Sequence, residues 1–140
     1  MSRISLDLDR KIRLQAKNRC GYCLSPQAIT TIPLEIDHLV AQSKGGADVE
    51  DNLWLACRVC NGFKYAKSHG VDFVTGETAA LFNPRAQSWP EHFTFSADKT
   101  KISGRTACGR ATVIALRLNN EQAVNARKLW VLAGWYPPQD

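Results

Sequence analysis

The feature of this sequence that most constrains its fold is a set of four cysteines arranged in two close pairs. Cys20 and Cys23 form one CxxC pair, and Cys57 and Cys60 form the other. A CxxC loop lets two thiolates point at one ion, and two such loops complete the four-sulfur shell that structural zinc takes. The sequence therefore predicts one structural Zn²⁺ bound by these four cysteines. It also predicts that the segment between the pairs is held at both ends.

The paired spacing has a second interpretation, a thiol redox protein. A thioredoxin-like site would need a single pair at the start of a helix that follows a βα unit. Two pairs favour zinc, as does a reducing cytosol, where disulfides are rare. The fifth cysteine, Cys108, stands alone, and we interpret it as structural or incidental. Metal content separates the two interpretations, because one tightly held zinc per chain is incompatible with a dithiol redox centre.

Length and composition favour one globular domain over residues 1–140. The 140 residues are enough for a single core, and 44% hydrophobic with 22% charged residues is close to the globular average. No apolar run approaches the roughly 18 residues of a membrane span, and the first eleven residues lack the apolar stretch of a signal peptide. The expectation is a cytoplasmic protein, with its oligomeric state, monomer or homodimer, left open.

The charge of the chain suits a polyanionic partner. The formal net charge is +5, which is compatible with nucleic acid but also with many proteins that do not bind it. The N-terminal segment carries a basic cluster for which phosphate contact and a solvated helix face remain equally open. Its members are Arg3, Arg10, Lys11, Arg13, Lys17 and Arg19.

Hydrophobic patterning predicts a strand, loop, strand and helix between and just after the cysteine pairs. Residues 6–17 have helical spacing and precede the first pair. Residues 33–40 alternate like a strand, 43–46 form a turn, 52–56 are a short apolar second strand, and 60–67 read as a helix.

The C-terminal half is predicted to pack against this unit. Residues 74–90 are rich in loop formers, and Phe93 and Phe95 alternate with polar residues to start a β-hairpin that returns through 101–105. Thr106 is a plausible N-cap for a helix to residue 118. A last helix follows Asn120, with an expected apolar stripe at Ala126, Leu129, Trp130 and Ala133.

Residues suited to phosphodiester hydrolysis lie inside the cysteine frame. Asp37 and His38 are adjacent on the first strand, so their side chains should point to opposite faces. Neutral imidazole is a suitable base near pH 7, and a carboxylate suits a hard cation such as Mg²⁺. An in-line displacement needs both, one on each side of the phosphorus. The adjacent pair is what such a site requires.

The order of these residues resembles the HNH endonuclease family. The similarity lies in EIDHLVAQSKGG and DNLWLACRVCNGFK and covers about residues 20–67. Residues 81–85 and 89–93 look like the C-terminal half of small stand-alone bacterial HNH proteins. The resemblance implies a zinc-stapled ββα-metal (His-Me finger) core at 20–67, a packing extension at 68–140, and an α+β fold with N- and C-terminal helices. It also implies DNA cleavage, by nicking or double-strand cutting, that leaves 5′-phosphate and 3′-hydroxyl ends.

The resemblance further implies a role for each residue of the motif. His38 would be the general base, and the side chain of Asn52 would shape the loop between the strands. Asp37 and Asn61 would ligate a catalytic divalent ion, and Lys64 would contact a DNA phosphate. Asn61 stands where the family commonly has His, and oxygen ligands from Asp and Asn favour Mg²⁺ (or Mn²⁺).

A different class of function is also open, a non-catalytic zinc-ribbon module that binds nucleic acid. In that case His38 would be a hydrogen-bonded structural histidine and Asp37 a loop cap. An adjacent acid and base are not needed for binding alone, which favours the nuclease. Glu35 shares the strand face of Asp37 and could assist the metal. The simpler interpretation is that Glu35 is a polar residue on an exposed face of the strand. His92 is interpreted as a structural residue at the start of a strand.

Overall fold

A computed structural model describes residues 4–139, so Arg3 of the basic cluster lies outside the described residues. Over these described residues, short helices alternate with three two-stranded antiparallel sheets, which confirms the predicted α+β class. No helix among residues 4–139 is long and apolar enough to cross a membrane. In chain order the helices and strands are α1 (Leu6–Gln15), β1 (Glu35–His38), β2 (Leu53–Ala56), α2 (Arg58–Lys64), β3 (His69–Val71), β4 (Thr78–Ala80), α3 (Trp89–His92), β5 (Phe93–Phe95), β6 (Ile102–Gly104), α4 (Ala107–Ala115) and α5 (Glu121–Leu132).

The predicted ββα unit is present between and after the cysteine pairs. Strands β1 and β2 pair antiparallel, with Asp37 opposite Trp54 and His38 opposite Leu53. Both strands lie inside the ranges predicted from the alternation, and α2 follows β2 after one residue. Asp37 and His38 are therefore held in a short, paired strand.

Helix α2 begins and ends earlier than the predicted 60–67 because of its two caps. The Cys57 sulfur accepts a hydrogen bond from the Cys60 backbone N–H at 3.4 Å, so a zinc ligand also caps the helix. The helix ends at Lys64, and Tyr65 then takes a positive φ of 49°. Such a φ is uncommon for a bulky residue, and it turns the chain away from the helix axis.

The loop between β1 and β2 turns at two glycines, where the sequence predicts a turn. A 3-10 turn at Gln42–Lys44 leads into Gly45, whose φ of 88° lies in the left-handed region. At Gly46 an added Cβ would lie 1.8 Å from the Val40 carbonyl oxygen. No other residue fits there without moving the backbone, so the loop has one compact path.

Helix α1 ends two residues before the predicted position. The Ser5 hydroxyl caps its first turn, accepting a backbone hydrogen bond at 3.1 Å. After Gln15 the backbone leaves the helix, and Lys17 and Asn18 both have positive φ, 54° and 57°. These left-handed residues redirect the chain into the first CxxC loop.

The C-terminal half shares a hydrophobic core with the zinc-binding segment. Arg85 of the C-terminal half also contacts β2. Its guanidinium donates to the Leu53 carbonyl at 2.9 and 3.1 Å and lies over the Trp54 ring. Buried residues of both halves pack in one cluster, which includes Cys20, Tyr22, Ala56, Phe82, Phe93, Ile102, Leu116 and Leu118.

The predicted β5–β6 hairpin is confirmed, and a second hairpin, β3–β4, lies partly in a segment predicted as loop. Its strands have three residues each, too few to give a periodic signal. The hairpin is held from outside by α4. The Asp72 side chain is fully buried. Its carboxylate accepts two hydrogen bonds from the Arg110 guanidinium, at 2.8 and 3.0 Å. That contact holds the pKa of Asp72 well below its ordinary value.

Thr106 caps α4 as predicted, but the apolar stripe predicted for α5 is wrong at Leu129 and Ala133, which are exposed, whereas Ala126 and Trp130 are half-buried. The Thr106 hydroxyl accepts from the Gly109 N–H at 3.0 Å. On α5, Leu129 is 68% exposed, whereas Val124 and Arg127 are buried. Arg127 enters the core because backbone carbonyls there accept from both of its terminal nitrogens. A buried cation held by backbone carbonyls at its two terminal nitrogens is not recognisable from apolar spacing.

Candidate functional site

The four paired cysteines converge on one point, which confirms the predicted zinc site. Their sulfurs all lie within 4.8 Å of one another, and the Cys23 and Cys57 sulfurs are 3.7 Å apart. Zinc–sulfur bonds of about 2.3 Å in a tetrahedron separate the sulfurs by about 3.8 Å, so the spacing fits one ion. A four-sulfur shell leaves no position for a water ligand, and the role of this site is structural.

The surroundings of the sulfurs also suit a cation. Hydrogen bonds from Cys20, Cys57 and Cys60 hold the pKa of Cys23 well below its ordinary value, whereas burial raises the pKa of Cys20. One thiolate is thus stabilised by the remaining thiols, and zinc would replace their protons. Cys108 is not part of this cluster.

The two faces of β1 carry different chemistry. Glu35 and Asp37 point towards α2, where they contact Asn61 and Lys64. His38 points to the other side, towards the loop between the strands. Strand alternation produces this separation, so the acid and the base of the adjacent pair lie on opposite faces.

Asp37 is buried, and both of its carboxylate oxygens have partners. The Tyr22 hydroxyl donates to Oδ2 at 2.6 Å, and the Lys64 ammonium donates to Oδ1 at 3.1 Å. Tyr22 lies between the first two zinc ligands, and burial raises the pKa of its hydroxyl well above the ordinary value. Tyr22 was not predicted from the sequence, because no spacing rule connects it to Asp37. The hydroxyl links the zinc loop directly to the candidate active centre.

Lys64 lies in a different place from the surface position expected of a phosphate ligand. Its side chain is 3% exposed, and its ammonium contacts Asp37 and also donates to the His38 carbonyl at 2.9 Å. The inward orientation has a physical reason, since the Asp37 carboxylate would otherwise be buried without a counter-charge. The phosphate contact stays a prediction.

Asn61 pairs with Glu35 on the same side of β1. The Asn61 amide nitrogen donates to the Glu35 carboxylate at 2.9 Å, and both residues are half-buried. The face between β1 and α2 thus gathers three oxygen-bearing side chains, those of Glu35, Asp37 and Asn61. Glu35 is therefore a partner of the motif rather than an isolated exposed residue.

The side chain of His38 is bound to Asp48, a residue of the inter-strand loop. The distance from His38 Nε2 to Asp48 Oδ1 is 2.7 Å, and Gln42 also donates to this oxygen at 3.1 Å. The side chains of His38 and Asp48 are 17% and 25% exposed, so water reaches the pair. Asp48 was missed in the sequence, where it is one of several loop carboxylates.

Asn52 organises that loop through three hydrogen bonds to its backbone. Its amide oxygen accepts from the Val40 N–H at 2.8 Å, and its amide nitrogen donates to the carbonyls of Val40 and Ala47 at 3.0 Å. These bonds join the end of β1 to the start of β2. A catalytic contribution by Asn52 stays a prediction.

The donor atoms near Asp37 suit a hard divalent cation in type, since carboxylate and amide oxygens are its usual ligands. Among the described residues, the only group of at least three His, Cys, Asp or Glu side chains close enough to hold a metal is the cysteine cluster. A cation that ligates Asp37 Oδ1 would have to displace the Lys64 ammonium from it. Binding of a metal ion at Asp37 Oδ1 would therefore compete with the ion pair between Asp37 and Lys64.

Replacing Lys64 should destabilise the protein strongly. Lys64→Met leaves the Asp37 carboxylate buried and unpaired, and we expect the free energy of unfolding to fall by about 3–5 kcal/mol. Lys67→Met is the matched control, because Lys67 is exposed three residues later. Urea denaturation measures both variants. Equal costs for the two substitutions would mean that the buried ion pair contributes nothing to stability.

Comparison with known proteins gives a family match for the segment that carries this geometry. Residues 20–67 match the model of the HNH endonuclease family. The matched segment contains all four zinc ligands, β1, β2, the loop between them and α2. No curated protein and no solved structure matches the chain.

Proposed function

We propose that this protein, which matches the HNH endonuclease family over residues 20–67, is a metal-dependent endonuclease that hydrolyses phosphodiester bonds of DNA. The observation that carries the proposal is the arrangement at the end of β1. There a half-buried imidazole, His38, lies on one face of the strand and a buried carboxylate, Asp37, on the other. A module that only binds nucleic acid has no use for this pair.

In the proposed reaction, His38 accepts a proton from a water molecule, and the water oxygen attacks the phosphorus. The bond from phosphorus to the 3′-oxygen breaks as the new bond forms. Protonation of the departing oxygen from solvent gives a 3′-hydroxyl, and the phosphate stays on the 5′ end. The water exposure of His38 supports its role as the base.

Asp37 and Asn61 would hold the catalytic divalent ion, Mg²⁺ or Mn²⁺. When bound, the ion would stabilise the negative charge on the departing oxygen. The Lys64 ammonium donates to one oxygen of the Asp37 carboxylate and the Tyr22 hydroxyl to the other, so the two side chains orient Asp37. The structural zinc takes no part in the chemistry, because its shell is complete with four sulfurs.

Lys64 acts in this proposal mainly from inside the protein. A phosphate contact, as the family resemblance implies, requires its ammonium to leave Asp37 and the His38 carbonyl. We propose that its first role is to fix the end of β1, so that Asp37 and His38 keep their relative positions. Two members of the basic cluster, Lys11 and Arg13, have acidic partners at 2.7 and 2.6 Å, which weakens their attraction for DNA.

The direct test is cleavage of supercoiled plasmid by the purified zinc-loaded protein. Gel filtration into buffer without divalent ions should leave the zinc in place and the plasmid intact. Addition of Mg²⁺ or Mn²⁺ should then produce nicked or linear DNA with 5′-phosphate and 3′-hydroxyl ends. Zinc content is measured before and after, so that loss of the structural ion is not mistaken for loss of the catalytic one.

The same assay separates the alternative function. Plasmid that stays supercoiled with Mg²⁺ and Mn²⁺, although the protein is folded, zinc-loaded and bound to DNA, would identify a non-catalytic zinc-ribbon module. Cleavage without any added divalent ion would contradict the metal dependence. A parallel reaction with RNA of matched length tests the preference for DNA.

A further inference from the structure

We propose that Asp48 is the positioning residue of His38, and that it fixes which nitrogen of the imidazole acts as the base. This inference rests on the proposed nuclease function and adds a residue outside the motif. Its basis is the 2.7 Å contact between Asp48 Oδ1 and His38 Nε2. This contact joins the inter-strand loop to the last residue of β1.

The loop that carries Asp48 is fixed by its own backbone contacts. Asn52 bonds to the Ala47 carbonyl, one residue before Asp48, and to the backbone of Val40. Gly46 packs directly on the Val40 carbonyl, with no room for a side chain. The carboxylate is therefore presented to His38 by a rigid loop, and the Gln42 amide adds a second contact to the same oxygen.

The contact selects one tautomer of the neutral imidazole. An ionised carboxylate can only accept a hydrogen bond, so Nε2 of His38 must carry the proton. The lone pair then lies on Nδ1, which is the nitrogen left to accept a proton from water. Carboxylates orient imidazoles in this way in many metal and catalytic sites. Asp48 therefore determines both the angle of the ring and the identity of the basic nitrogen.

The first test reads the tautomer directly by ¹⁵N NMR of the histidine rings at a pH where they are neutral. Wild-type His38 should be the Nε2–H form. In Asp48→Asn the carboxamide can donate or accept, so the Nδ1–H form should become populated. The chain has three histidines, and His69→Gln and His92→Gln identify the remaining signal. An Nδ1–H tautomer in the wild-type protein would overturn the proposal, with no variant needed.

The second test measures cleavage by the same variant. Asp48→Asn should lower kcat by between about 10-fold and about 10⁴-fold, the upper bound being the cost of replacing the aspartate beside a serine-protease histidine. DNA affinity, zinc content and melting temperature should stay unchanged. Asp51→Asn is the matched control, because Asp51 is an exposed carboxylate in the same loop, and it should cleave at the wild-type rate.

The two tests separate this inference from the proposed function. If the wild-type protein cleaves and Asp48→Asn matches it in rate and in His38 tautomer, the role of Asp48 is wrong and the nuclease stands. A wild-type protein that does not cleave removes the nuclease and, with it, the catalytic role of Asp48.

Discussion

The variant His38→Ala should retain fold, zinc and DNA binding but cleave about 10²- to 10⁴-fold more slowly than the wild-type protein. That range is the usual contribution of a positioned general base. The fold should survive because the His38 side chain is half-buried at the edge of the inter-strand loop, and its one hydrogen-bond partner among the described residues, Asp48, remains partly hydrated without it. Single-turnover cleavage of a labelled duplex, with protein in excess, measures the chemical step.

A matched control is His69→Ala, which removes an exposed histidine of β3. It should cleave at the wild-type rate and show that removal of a histidine away from the site does not slow cleavage. Equal rates for His38→Ala and the wild-type protein would remove the catalytic assignment. The zinc-ribbon binding module would then be the better description, since zinc and DNA binding do not require a base.

The zinc site and the ββα unit are predictable from sequence because local rules determine them. CxxC spacing restricts where two sulfurs can point, and residue alternation places Asp37 and His38 on opposite sides of β1 whatever surrounds the strand. The cap at Thr106 follows from the chemistry of a hydroxyl next to free N–H groups. None of these inferences depends on which distant segment packs nearby.

The partners of the motif residues depend on tertiary packing and are not predictable in the same way. The resemblance implied that Lys64 contacts a DNA phosphate, but the burial of Asp37 brings its ammonium inside the protein. Asp48 and Tyr22 contact His38 and Asp37 only because the inter-strand loop and the zinc loop fold against β1. The stripe on α5 was wrong at Leu129 and Ala133 for a similar reason, since the buried side of this helix carries Arg127, whose terminal nitrogens donate to backbone carbonyls.

These contacts connect the structural zinc to the candidate active centre through few bonds. Tyr22, between two zinc ligands, donates to Asp37, and α2, capped by the zinc ligand Cys57, supplies Lys64 and Asn61. Loss of zinc should release the cap and the Tyr22 hydroxyl together. We therefore expect chelation of zinc to abolish cleavage even where some helical structure remains.

Cys57→Ser should unfold or aggregate the protein, the largest effect on stability that we expect from a single substitution. Serine is a good N-cap, so it can still accept the hydrogen bond that begins α2, and the loss reports on zinc rather than on the helix. Structural zinc binds peptides with about 10–16 kcal/mol, as much as the roughly 5–15 kcal/mol that holds a whole domain folded. Elemental analysis, circular dichroism and thermal melting measure the outcome.

Cys108→Ser, outside the cluster, is the control and should keep one zinc per chain. Two results would contradict a structural zinc: a wild-type protein that is folded and soluble without metal, or a Cys57→Ser variant with the melting temperature of the wild-type protein. Neither can occur if the core between the two CxxC loops depends on the ion.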